Sequence, residues 1–275
     1  MVRGAEWLSR AQRDAAMSAK PLSRILLTND DGIDSEGLGV AAEVASRFAE
    51  EIWIVAPQRD QTAASHALSF HQPVRVIEHA PRKFAVIGTP GDCVVMAVRS
   101  IMADNLPDLV ISGVNAGANL ADDITYSGTV SGAMTAVLCG IPAIAMCQAY
   151  RSNARISWDT ARKYGVRVLE RVLSAPLPND LCLNVNFPAV APGSVTGIRA
   201  TRQGRRSIRS IDLDERRDLR NRPYYWLSFS RTGGEQDPDS DIAALRGKAV
   251  SVTPLRFDRT DDAVLPQLSA RLDPT

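Results

Sequence analysis

Two acids stand side by side in this chain, Asp30 and Asp31, within the run RILLTNDDG at residues 24–32. Ile25, Leu26, Leu27 and Thr28 carry a short strand signal, and Asn29, Asp30, Asp31 and Gly32 end it abruptly. Carboxylates placed together where a buried strand meets its loop repel each other. Partial burial raises their pKa values further unless a cation or strong donors favour the charged forms. A bound metal ion resolves that conflict. The plainer alternative is a polar turn that contains a helix N-cap.

Other oxygen donors follow along the chain. Thr62 lies in a polar loop, 58–65, and Asn115 in a loop, 114–126, behind the apolar run DLVISG. Asp30, Asp31, Thr62 and Asn115 offer only oxygen, a set suited to one Mg2+ or Mn2+ ion per subunit rather than to tetrahedral zinc. Tyr126, Ser127, Gly128 and Thr129 precede an Ala- and Leu-rich stretch, so hydroxyls and free backbone N–H groups of a helix N-terminus would share the same cleft. Such a terminus binds phosphate well, although Ser and Thr there also serve as ordinary caps. A dication facing an anion site points to metal-assisted attack of water on a phosphorus centre.

These residues need a scaffold that brings several loops to one edge. Residues 37–48 have helical apolar spacing; 52–56 (IWIVA) read as a buried strand closed by Pro57; 74–77 and 84–87 are β-prone. Thr89 to Asp92 opens a helix through about Ala103, residues 108–113 form another apolar strand, a helix starts at about Thr129, and 142–146 (PAIAM) form a fourth strand. This rhythm predicts a parallel sheet covered by helices on both faces. Ligands of such sheets bind beyond the carboxyl ends of the strands, where loops 29–32, 58–65 and 114–126 would meet. From 181 onwards, β-prone runs (181–187, 197–201, 224–230, 249–255) alternate with polar loops, and 262–272 resembles a terminal amphipathic helix. One α/β domain is expected over 24–275, with about 181–275 as a β-rich extension.

Composition bounds the rest. With 275 residues, 45% hydrophobic and 23% charged, the chain has ordinary globular usage and can bury a sizeable core. A formal net charge of +1 gives no global electrostatic case for a nucleic-acid duplex or a membrane as partner. Cys93, Cys139, Cys147 and Cys182 have no zinc-like spacing and read as buried small hydrophobes of a reducing compartment. Residues 1–23 contain no apolar signal-peptide core and read as a disordered extension, with Met17 a second candidate start that an intact-mass measurement would test. A cytoplasmic protein is expected.

The blocks RILLTNDDG, VAPQRDQTAAS, GTPGDC, PDLVISGVNAGANLADDITYSGTVSGAM and the later VSVTPL resemble the SurE (survival protein E) family of nucleotidases, from Arg24 to the end of the chain. The resemblance implies a Rossmann-like three-layer α/β sandwich. It implies a metal-dependent phosphomonoesterase acting on nucleoside 5′- and 3′-monophosphates, with short polyphosphate as a further substrate of some members. It places Asp30, Asp31, Thr62 and Asn115 on the metal, and Ser65, Asn119, Ser127, Gly128 and Thr129 near the phosphate. Asp30 and Asn119 become the catalytic candidates, Asp30 to steer the attacking water. Hairpin and C-terminal segments that exchange between subunits, giving a homodimer or homotetramer, are implied too.

Two positions depart from the family pattern: Thr62-Ala63 stands where Ser-Gly is usual, and Ala121-Asp122-Asp123 where GDD is usual. Thr keeps the hydroxyl, and the added methyl groups are expected to narrow the loops and shift substrate preference. Residues 37–42 (GLGVAA) fit a dinucleotide fingerprint but come too late after their strand and behind four acids. His66, His71 and His79 read as surface or packing residues, and the Arg-rich run 205–222 as a solvated or subunit-contacting segment. The rival function is a non-catalytic nucleotide-binding or signalling module. A phospho-receiver would need Asp where Asn115 stands.

Overall fold

The first strand signal is realised as β1 (Leu22–Thr28). Ile25 and Leu27 face one hydrophobic cluster and Leu26 faces another, all three fully buried. A strand covered on both faces needs a continuous apolar run, and this one has it. The strand begins two residues before Arg24. The structure, a computed structural model, describes residues 20–151, 155–205, 208–231 and 237–272; most of the expected N-terminal extension lies outside the described residues.

After β1 come α1 (Glu36–Ala45), β2 (Ala49–Pro57), β3 (Arg75–Ala80), β4 (Lys83–Ile87) and α2 (Pro90–Met96). Next are β5 (Leu109–Ala116), α3 (Gly128–Leu138), β6 (Ala143–Gln148), α4 (Asp159–Val172), β7 (Cys182–Phe187) and β8 (Ile198–Ala200). The chain closes with β9 (Ile208–Arg217), β10 (Pro223–Arg231), α5 (Asp241–Arg246), β11 (Val250–Leu255) and α6 (Leu265–Leu272). Nine strands form one sheet in the order β3-β4-β2-β1-β5-β6-β7-β11-β8. Strands β4 to β7 of that order run parallel, while β3 and β11 pair antiparallel with β4 and β7. Helices α1 and α4 bury their apolar sides on one face, with Leu38, Val44, Tyr164 and Leu169 in the cluster of Ile25 and Leu27. Helices α2 and α3 cover the other, with Val94, Val130 and Met134 beside Leu26. The result is the expected three-layer, Rossmann-like α/β sandwich.

Local chemistry sets the helix starts. Thr89 accepts from the Asp92 N–H, the Asp92 carboxylate accepts from the Thr89 N–H, and Pro90 occupies the first turn of α2. Such a capping box is worth roughly 1 kcal/mol. Helix α2 stops at Met96 and widens into a π turn, Ala97–Ile101, so the regular helix is shorter than the apolar pattern predicts. The GLGVAA run lies inside α1, where its purpose is packing. A Cβ on Gly37 would fall 1.9 Å from the Val114 carbonyl oxygen.

Two elements add to the sequence reading. Helix α4 buries Tyr164, Val168 and Leu169 on one side beneath a surface rich in Arg and Lys. Strand β9 lies in the Arg-rich run, where Ile211 and Leu213 alternate with Asp212 and Asp214, and it pairs antiparallel with β10 as a separate two-stranded ribbon. Tyr225, Trp226 and Leu227 on β10 are exposed, with Trp226 60% accessible, so this β-prone run is a surface strand rather than part of the core. Among the described residues, no helix is long and apolar enough to cross a membrane.

Candidate active site

Strand β1 is flanked in parallel by β2 on one side and β5 on the other, so the chain leaves it in opposite directions. A crevice opens outside the carboxyl ends of the strands at such a reversal. Asp30 and Asp31 stand at that point, and three segments are tied to them. The Asp30 carbonyl accepts from the Gln61 N–H at 2.8 Å, which anchors the 58–65 loop. Asp31 Oδ2 accepts from the Ala116 N–H at 3.1 Å, at the end of β5. Asp30 Oδ1 accepts from the Thr129 hydroxyl at 2.6 Å, in the first turn of α3. Gly128 allows that last approach: a Cβ there would lie 2.8 Å from both Cβ and Oδ2 of Asp30.

Burial dominates the electrostatics. Asp30 is 3% accessible, and its pKa is pushed up to about 6, first by loss of solvent and then by the neighbouring Asp31, with the Thr129 hydroxyl opposing. Asp31 is also pushed up, by burial and by Asp60, against the Ala116 N–H. Both carboxyls therefore lie in surroundings that favour the neutral form until a cation or donor arrives.

The sequence candidates occupy distinct places around this pair. Thr62 is exposed, and both its N–H and its hydroxyl donate to Asp60 Oδ1, at 2.7 and 2.6 Å. Asn115 donates its side-chain nitrogen to the Gly117 carbonyl at 2.9 Å, leaving its oxygen as the free donor atom. Ser65 donates to the Thr125 carbonyl at 2.8 Å, which joins the second loop to the third. Ser127 caps α3 by accepting from the Val130 N–H, and its own hydroxyl hydrogen stays available. The Thr129 hydroxyl hydrogen is committed to Asp30. The side-chain nitrogen of Asn119 donates to Cys147 Sγ at 3.2 Å, and one amide hydrogen and the oxygen remain. Of the histidines, His66 meets Met134 Sδ at 3.4 Å, as a packing residue does.

The family model described as Survival protein SurE matches residues 25–210. The chain belongs to the SurE family. A Bradyrhizobium diazoefficiens protein named 5′-nucleotidase SurE is 48% identical over 253 residues, which cover 90% of this chain and 99% of the relative. A Nitrobacter winogradskyi protein of the same name is 46% identical with the same coverage. The crystal structure of a SurE protein from Aquifex aeolicus superposes with a TM-score of 0.77 at 36% identity, covering 91% of this chain and all of that one.

Ala63 and Ala121 share one backbone feature. Ala63 has φ +63° and Ala121 has φ +51°, both in the left-handed region that favours glycine. An alanine there costs roughly 1–2 kcal/mol relative to a right-handed position. Both strained positions lie in loops of the crevice, and Ala121 is fully buried beside Leu120 and Ile242.

The residues around the SurE crevice fit a divalent ion. Among the described residues no three His, Cys, Asp or Glu side chains gather as a metal cluster. Asp30 and Asp31 are desolvated carboxyls, and the Thr62 hydroxyl and the Asn115 side-chain oxygen are neutral oxygens on the neighbouring loops; oxygen groups of this kind match a hard cation. Sequence reasoning missed several supporting groups. Asp60 holds Thr62 as an Asp-x-Thr turn, a legible local signal. Asn184 and Asn186 on β7 hold the backbone of Asn119. Two asparagines at i and i+2 in an apolar strand were the available clue.

Proposed function

We propose that this chain is a metal-dependent phosphomonoesterase that hydrolyses nucleoside 5′- and 3′-monophosphates to nucleoside and phosphate. The observation that carries the reading is the 2.6 Å contact between Thr129 Oγ1 and Asp30 Oδ1, which sets a helix N-terminus against a pair of buried carboxylates. Phosphate is drawn to the first and a cation to the second. The names of the relatives, 5′-nucleotidase SurE, support the same substrate class.

Asp30, Asp31, Thr62 and Asn115 would hold a Mg2+ or Mn2+ ion, which when bound neutralises phosphate charge and acidifies water. Asp30, once ionised, orients the attacking water and accepts its proton through the carboxylate, whose other contact is the Thr129 hydroxyl; the ester P–O bond to the nucleoside breaks as the new P–O bond forms, and the leaving nucleoside oxygen takes a proton from solvent. Asn119 donates its free amide hydrogen, and Ser127 its hydroxyl, to phosphoryl oxygens as charge develops on them. The backbone N–H groups at the start of α3 add to that field. Gly128 keeps the helix close enough for both halves to meet.

The test is phosphate release from AMP, 3′-AMP, other nucleotides and short polyphosphate, each with Mg2+, Mn2+ or EDTA. Release that requires the metal supports the reading, and release from polyphosphate extends it. A chain that binds nucleotides but releases no phosphate with any metal is the non-catalytic module instead.

A homodimer or homotetramer in the cytoplasm completes the proposal. A two-stranded ribbon is marginal in water by itself. This one exposes Ile211, Leu213, Trp226 and Leu227, and α6 exposes Leu265, Leu268 and Leu272. Light scattering that finds a monomer at working concentration would refute the assembly.

A further inference from the structure

Strand β7 buries two asparagines, Asn184 and Asn186, with no accessible surface on either. An unpaired buried amide costs about 1–3 kcal/mol, so apolar residues would serve a sheet strand better there. Their partner is one peptide unit pair of the crevice. Asn186 Oδ1 accepts from the Asn119 N–H at 2.9 Å, while its Nδ2 donates to the Asn119 carbonyl at 3.1 Å. The side-chain amide thus pairs with residue 119 at two points, as a neighbouring strand would. Asn184 Nδ2 donates to the same carbonyl at 2.9 Å, and its Oδ1 is left without a partner. An arrangement that leaves a buried oxygen unsatisfied is poor for stability and serves placement instead.

The hold continues two residues on. The Ala121 N–H donates to Asp241 Oδ2 at 2.9 Å, and the Ala121 carbonyl accepts from Gln203 Nε2 at 2.9 Å. Asp241 is fully buried at the start of α5. These contacts keep Ala121 at its left-handed φ of +51°. Asn115, Cys147 and Asn186 are also in register across β5, β6 and β7, so the row that carries a metal candidate also carries the groups that grip Asn119.

We infer that Asn186, assisted by Asn184, is a positioning residue for Asn119: the two buried amides of β7 clamp the backbone of residue 119 so that its side chain faces the phosphate. The inference rests on the nucleotidase reading for its catalytic consequence. Positioning groups behind a ligand-contacting residue typically contribute 10- to 100-fold.

The experiment is a double-mutant cycle on kcat/KM for AMP, with thermal melting of every variant and hydrogen exchange at the Asn119 amide. Asn186→Ala should lower kcat/KM about 10- to 100-fold, chiefly through kcat, and speed exchange at Asn119. In an Asn119→Ala background the same change should cost almost nothing further, because the group it positions is gone. Asn184→Ala, which removes one of two bonds to the carbonyl, should give a smaller loss that also vanishes in that background and keeps the cycle readable if Asn186→Ala does not fold. Losses that multiply in the double variants, or unchanged exchange at Asn119, overturn the inference. If the wild type releases no phosphate, the nucleotidase reading fails, and the exchange measurement still decides whether the clamp exists.

Discussion

Replacing Asp30 by Asn is expected to stabilise the metal-free protein and to abolish turnover. Burial holds the Asp30 carboxyl at about 6 in the fold, against an ordinary value of 3.8. That gap of about 2 pH units corresponds to roughly 3 kcal/mol spent on keeping the group ionised inside the protein at alkaline pH. The folded-state value lies above the unfolded one, so the carboxyl contributes its full stability below about pH 3.8 and loses it as the pH rises through about 6. Asparagine has no proton to lose, and its oxygen can still accept from Thr129. Urea denaturation in EDTA should therefore find Asp30→Asn more stable than wild type by about 1–3 kcal/mol at pH 8, a midpoint shift of up to ~1 M. The advantage should shrink steadily toward pH 4.5. A variant destabilised equally at both pH values would refute a desolvated carboxylate here. Near-wild-type turnover with saturating metal would remove Asp30 from the chemistry.

Other outcomes follow from the same geometry. Adding Mg2+ or Mn2+ should raise the wild-type melting temperature, by an amount equivalent to about 2.7 kcal/mol at 100 times Kd; Asp30→Asn and Asp31→Asn should respond less. Gly128→Ala should destabilise by about 1–3 kcal/mol through overpacking and reduce phosphate release sharply, because the new Cβ displaces Asp30, as melting and kinetics would reveal. Ala63→Gly should stabilise by roughly 1 kcal/mol, since Ala63 is exposed and strained; at buried Ala121 the same change forfeits a packed methyl and should come out near neutral in thermal melts. Burial pushes the Cys147 and Cys182 thiols up to about 12 and Cys93 well above its ordinary range, so a thiol titration of the native protein at pH 8 should find Cys139 alone reactive.

The second half of the chain was the less legible part. The charges of the 205–222 run hide the period-2 signal of Ile211 and Leu213, so β9 emerges only through its pairing with β10. Helix α4 is diluted in the same way by its exposed Arg and Lys residues. The clamp on Asn119 joins residues about 65 apart in sequence, and no local pattern can encode which backbone group a buried asparagine meets.

The sequence by itself determined the sheet rhythm, the helix start at Thr89 and the adjacent acids, because each is written in side-chain type and short-range spacing. Folding decided how those parts are used. Ser127 caps its own helix, and the Thr129 hydroxyl turns to Asp30, because burial removes the water that would otherwise satisfy each group. It also decided that Asp30 sits near the neutral range, since desolvation depends on what packs over a residue and not on what precedes it in the chain.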